Sequence, residues 1–200
     1  MNTTFNKPVV SGAVEGSVDE AVFSALLKHV DALPGLVYGK KGKSHLREKI
    51  TGYNNAARLS PWLVIVDLNH EECAPSMRAS WLPSPAPHMF FRIAVREIEA
   101  WLLADRQSLA RFLAVPLTKM PANPDGLDDP KRALVDLSRF SRRRDIREGM
   151  VPTVSSHREV GPLYDSSLSE FAETKWNLDA AADVSDSLAR CIASLRALTG

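Results

Sequence analysis

The sequence predicts an α/β fold: a mostly parallel sheet flanked by helices, with a helical C-terminal extension. Three observations predict it. Short apolar runs of strand character alternate with helical periodicity through the first half of the chain, the pattern of parallel strands joined by helical crossovers. Two of these runs, residues 62–66 and 89–95, are almost continuously apolar, as strands buried on both faces are. Beyond Pro116 the texture changes to prolines at 116, 121, 124 and 130, followed by helical patterning alone.

Taken in order, residues 8–14 read as a first strand rich in valine. Ser17 has the form of an N-cap, and Glu20 three residues on would complete a capping box. The helix behind it carries Ala21, Val22, Ala25, Leu26 and Val30 at helical spacing and is expected to stop before Pro34-Gly35. Residues 36–38 form a short second strand that runs into a flexible basic loop, residues 39–44. A helix is expected over residues 45–59, weakened in the middle by Gly52. Residues 62–66 make the clearest strand. Residues 71–87 hold four prolines and are expected to be irregular, with one helical turn at residues 77–81. After the strand at 89–95, broken only by Arg92, residues 96–113 read as helix. Asp105 falls in its apolar stripe, so it is expected to cap a break between two helices. Further helices are expected at residues 130–140 and 184–198. Residues 1–115 then form the α/β core, and residues 116–200 pack on it as an extension within one structural domain.

Two hundred residues with 44% apolar content suit one such domain. The net charge of +1 names no partner, but charge is sorted along the chain. Lys40, Lys41, Lys43, Arg47 and Lys49 stand against Glu48, a local +4; Arg139, Arg142, Arg143, Arg144 and Arg147 stand against Asp145, again +4. Residues 165–186 carry a local −5. Such sorting is compatible with a basic groove on a neutral protein. The two cysteines, Cys73 and Cys191, exclude a disulfide scaffold or a cysteine zinc site. With no signal-peptide pattern and no apolar run of membrane-spanning length, a cytoplasmic protein without membrane contact is expected. Trp62, Trp81, Trp101 and Trp176 are expected in the core.

Chemistry is suggested by carboxylates at strand exits. Glu15 and Asp19 follow the first strand, Asp67 and Asn69 end the strand at 62–66, and Glu97 follows the strand at 89–95. In open parallel sheets ligands gather at the carboxyl ends of strands, and carboxylates meeting there can hold Mg²⁺. Glu71 and Glu72 can supply a ligand in place of Asn69. Glu97 and Glu99 lie two positions apart on an expected helix, so only one of them, Glu97, is expected at the site. Glu20 is expected to be structural. Lys40, Lys41 and Lys43, with Arg142, Arg143 and Arg144, are candidates for phosphate-backbone contacts.

Glu15-Gly16-Ser17-Val18-Asp19 at one strand end and Asp67-Leu68-Asn69 at another resemble the TOPRIM domain of topoisomerases, primases and OLD-type nucleases. The wider chain resembles a bacterial family of TOPRIM-like proteins of unknown function associated with phage defence. That likeness lies in residues 52–57 (Gly-Tyr-Asn-Asn-Ala-Ala), in residues 92–105 around Arg96-Glu97-Ile98-Glu99-Ala100-Trp101, and in residues 129–134 from Asp129 to Leu134. The resemblance implies a TOPRIM-like core in residues 1–115, with Glu15 as general acid or base and Asp67 holding Mg²⁺ or Mn²⁺. It places Asn69 where the family has a second aspartate; an amide oxygen ligates a metal but adds no charge. The expected function is a Mg²⁺-dependent nuclease or related phosphotransfer enzyme acting on nucleic acid, with Glu15, Asp67 and Glu97 catalytic and Glu15, Asp67, Asn69 and Asp19 around the metal. The alternative is a catalytically reduced TOPRIM-like module that binds nucleic acid or a partner ATPase. A homo-oligomer is compatible with either.

Overall fold

Four short apolar runs build the sheet: β1 (Val9–Val14), β2 (Leu33–Gly39), β3 (Trp62–Asp67) and β4 (Met89–Ala94). The computed structural model describes residues 7–198. All three pairings are parallel, and the spatial order is β2-β1-β3-β4. The chain therefore steps from β1 to one side, then crosses back to lay β3 on the other. Every residue of β3 is buried, as its uninterrupted apolar sequence requires of a central parallel strand.

The expected α/β class is what folds. The crossovers are α1 (Ser17–His29), α2 (Lys43–Ala56) and α3 (Ala74–Trp81). One core layer packs Val10, Leu63 and Ile65 with α1 and the later helices; the other sets Val64, Val66 and Phe91 against Leu46, Ile50 and Trp81. After β4 come α4 (Ile98–Ala104), α5 (Arg106–Leu113), α6 (Pro130–Arg139), α7 (Arg144–Met150), α8 (Tyr164–Thr174), α9 (Leu178–Ala182) and α10 (Asp186–Arg196). The first core layer runs unbroken from Val10 of β1 to Leu195 of α10. No helix among the described residues is long and apolar enough to cross a membrane.

Several local expectations are corrected. The second strand begins at Leu33 and passes through Pro34-Gly35, because β2 lies at the sheet edge, where a missing N–H is tolerated, and its register with β1 shifts between Val10 and Gly12. Gly16, not Ser17, is the N-cap of α1, and no side chain caps that helix. Ser17 Oγ donates to Asp165 (3.2 Å), and Glu20 pairs with Lys40 instead of closing a capping box. Residues 74–81 form a full helix, since Pro75 in its first turn costs no hydrogen bond. The helix after β4 starts at Ile98, two residues later than expected. The break at Asp105 is as expected: its carboxylate caps α5 through Ser108 N–H (3.1 Å) and also accepts from Asn177 N–H (2.8 Å). The four tryptophans are buried.

Candidate functional site

The site grows out of the exits of β1, β3 and β4. Glu15 follows Val14 directly, and its Oε1 accepts the backbone N–H of Asp67 at 2.8 Å. Asp67, the last residue of β3, accepts the Ile98 N–H through Oδ1 at 2.8 Å and so satisfies the open N-terminus of α4. Glu97 is the extended residue before α4, and its Oε2 accepts Lys131 N–H at the start of α6 (2.9 Å). Each carboxylate thus pins the next element. Asp19, in the first turn of α1, turns back toward Gly16, where an added Cβ would stand 3.3 Å from its Oδ2.

Glu99 completes the cluster and is the residue sequence reasoning passed over. Glu97 and Glu99 would face different sides only if both lay on the helix. Glu97 has φ −137° and ψ 161° and precedes the helix, and both carboxylates meet at Lys131, Glu97 on its N–H and Glu99 near its Nζ. Glu99 is only 3% exposed. Its Oε1 accepts from Tyr164 Oη at 3.2 Å and lies 3.8 Å from Lys131 Nζ. The signal was present: an acid set inside the otherwise apolar run Ile98-Glu99-Ala100-Trp101-Leu102-Leu103 must have a buried partner.

The electrostatics record crowding. Burial, then the charges of Asp19, Glu99, Glu15 and Glu97, holds the Asp67 carboxyl well above its ordinary range. Burial and the neighbouring Glu15 push Asp19 up to about 6. Burial raises Glu99 to about 7 against the pull of Lys131, and it raises Glu15 against the Asp67 N–H and Lys43. Burial by itself lowers the Lys131 pKa, but the surrounding carboxylates, Glu99 foremost, more than offset it and raise it. Within this cluster two carboxylate oxygens, Asp19 Oδ1 and Glu99 Oε2, are buried with no hydrogen-bond partner among the described residues.

This donor set is all oxygen, which suits a hard divalent cation. The buried oxygens without partners and the raised carboxyls are what such a set shows when its charges face one another. Among the described residues no three acidic, His or Cys side chains stand ready-made around one ion position. Because Glu15 and Asp67 each spend one oxygen on a backbone N–H, the cluster must turn its free oxygens inward to close on an ion.

The remaining candidates separate. Asn69 sits in the left-handed region at φ 52°, tied through its backbone to Arg96, and lines a cavity of about 320 Å³ with Glu97, Asp129 and Lys131. Glu71 and Glu72 are exposed loop residues, with Glu71 3.9 Å from Lys43. Lys43, the first residue of α2, donates to the Leu68 carbonyl at 3.1 Å, beside the strand exit that carries Asp67. Lys40 is held by Glu20, and Lys41 is exposed. Arg142, Arg143 and Arg144 are not brought to this cluster: they follow α6, whose ten residues run about 15 Å from Lys131. There Arg143 pairs with Asp145, and Arg144 with Glu148.

No family model, curated protein or solved structure matches the chain.

Proposed function

We propose that the chain is a Mg²⁺- or Mn²⁺-dependent phosphotransfer enzyme, a nuclease or close relative, acting on nucleic acid at the carboxylate cluster. One observation carries the reading. Glu15 and Asp67 sit at the carboxyl ends of β1 and β3, the two adjacent strands between which the chain reverses its direction across the sheet. That crevice is where open α/β sheets bind ligands, and here it is filled with buried, mutually repelling carboxylates.

Glu15, Asp67 and Asp19 would hold the cation through the oxygens not engaged by backbone. When bound, such an ion activates water and offsets charge developing on a scissile phosphate. Glu99, with a pKa of about 7 and an unpartnered Oε2, is suited to hold or release a proton at neutral pH. Tyr164 and Lys131 fix the orientation of its other oxygen. Lys43 and Lys131 supply positive charge beside an incoming phosphate.

Calorimetric titration of Mn²⁺ into wild type, Glu15→Gln and Asp67→Asn tests the proposal, paired with cleavage of a labelled oligonucleotide. Binding and cleavage are expected in wild type and lost in both variants. A wild type that binds no divalent ion and cleaves nothing sinks it.

A second reading is favoured by the hydrogen bonds themselves. Glu15, Asp67 and Glu97 each satisfy a backbone N–H, so the acids also serve as structural ties, and Asn69 lacks a charge. A catalytically reduced module that binds nucleic acid or a partner ATPase would keep these ties without the chemistry. A place in phage defence rests on the family resemblance alone.

A further inference from the structure

A second cleft opens one strand away from the carboxylates. Tyr38, near the end of the edge strand β2, is 44% exposed, an aromatic surface left partly open to solvent. Tyr53 rises beside it from α2 with its ring centroid 6.3 Å away. Both rings lie nearly parallel to buried Trp62, at 5.6 Å and 5.3 Å with interplanar angles of 20° and 23°. Trp62 is therefore the floor, and the two tyrosines are the surface.

Around the tyrosines is a cleft of about 500 Å³ whose charged lining is entirely basic or imidazole: Lys40, Lys41, His45 and Lys49. No carboxylate lines it. Lys40 and Lys49 pair with Glu20 and Glu48 in solvent-exposed contacts, which water and salt readily loosen. Lys41 is exposed and has no ion pair among the described residues. Gly52 on the wall leaves open space where a side chain would stand. The lip of the cleft is bonded to the acidic strand end: Lys40 N–H donates to the Val14 carbonyl (2.8 Å) and Gly42 N–H to the Glu15 carbonyl (3.1 Å).

We propose that this cleft is a stacking platform for single-stranded nucleic acid. Bases would stack on Tyr38 and Tyr53, phosphates would lie near Lys41 and Lys49, and the strand would lead past Gly42 toward Glu15. Aromatic faces flanked by lysines accept any base, because every base has a π-face, and so bind without sequence preference. A duplex hides its base faces within the stack and cannot use them. The proposal deepens the nucleic-acid reading above by naming its substrate class, and it rests on that reading. Its binding step needs no metal, so the two can fail separately.

The test is fluorescence anisotropy in EDTA with a labelled oligothymidylate and a duplex of equal length. Wild type is expected to bind the single strand at least about tenfold more tightly than the duplex. Tyr38→Ala should weaken single-strand binding roughly five- to hundredfold, the usual effect of removing one stacking ring, whereas Tyr38→Phe should stay within about twofold. Lys41→Glu, an exposed change that leaves the rings untouched, should also weaken binding and serves if Tyr38→Ala fails to fold by circular dichroism. No binding of either oligonucleotide, equal affinity for both, or a folded Tyr38→Ala at wild-type affinity overturns the platform. Tight single-strand binding by a protein that takes up no Mn²⁺ would instead sink the acidic site and leave the platform standing.

Discussion

At the scale of single residues, this protein is governed by carboxylates held protonated more strongly than the unfolded chain would hold them. Asp19 rises from 3.8 to about 6, and Glu99 from 4.5 to about 7. Between roughly pH 4 and pH 7 the native state therefore carries protons that the unfolded state has released, so stability falls as pH rises. The contribution is fully present below the unfolded pKa values and is lost as pH passes 6 to 7. Thermal melts in EDTA should show Tm falling from pH 5 to pH 8. Glu99→Gln, which keeps an acceptor for Tyr164, should flatten that fall and raise Tm at pH 8; a profile identical to wild type would mean Glu99 stays charged without strain. Asp67 separates charge from shape in the same way. Asp67→Asn retains an oxygen for the Ile98 N–H, while Asp67→Ala leaves α4 uncapped and should cost about 1 kcal/mol more in urea denaturation. Both should abolish Mn²⁺ binding.

At the scale of elements, the β1–β2 exit depends on one backbone position. Gly39 has φ 90°, and an added Cβ would stand 2.3 Å from the Val14 carbonyl oxygen. Gly39→Ala combines a left-handed penalty with a backbone clash and should cost more than about 2 kcal/mol. It should also loosen the loop that bonds to Glu15. Gly52, inside α2 with nothing within 4 Å of its Cβ position, should behave oppositely: Gly52→Ala is expected to stabilise by about 0.5–1 kcal/mol. Urea denaturation of the two variants checks both signs, and equal effects would mean the local backbone is not as described.

At the scale of the whole molecule, the two basic segments part company. The segment with Lys40, Lys41 and Lys43 adjoins the site, while Arg142, Arg143 and Arg144 lie past the far end of α6 with two of the three already paired. Changing those three to Ala should therefore lower the slope of log affinity against log salt by about one phosphate contact or less. A fall near three, measured by anisotropy across a salt series, would place the strand over the arginines.

The α/β class, the buried strand β3, the existence of β4, the cap at Asp105 and the positions of Glu15 and Asp67 were legible in the sequence; that β4 is a half-buried edge strand and not a second buried one was not. Each legible feature is a local consequence of apolar runs, helical spacing or capping chemistry, and such signals are written in consecutive residues. Helices α7 to α9 were not legible. They are short, and their apolar residues, such as Leu168 and Phe171, acquire a face only by packing on the rest of the molecule. Tertiary structure alone decided which strands became neighbours, and hence that Glu15 and Asp67 meet. It decided that Glu99 joins them, because the true start of α4 is set by Asp67 reaching Ile98 across 31 residues. It decided too that Tyr38 and Tyr53 share one floor on Trp62. Contacts between distant segments depend on the path of the chain through space, and no window of consecutive residues contains that path.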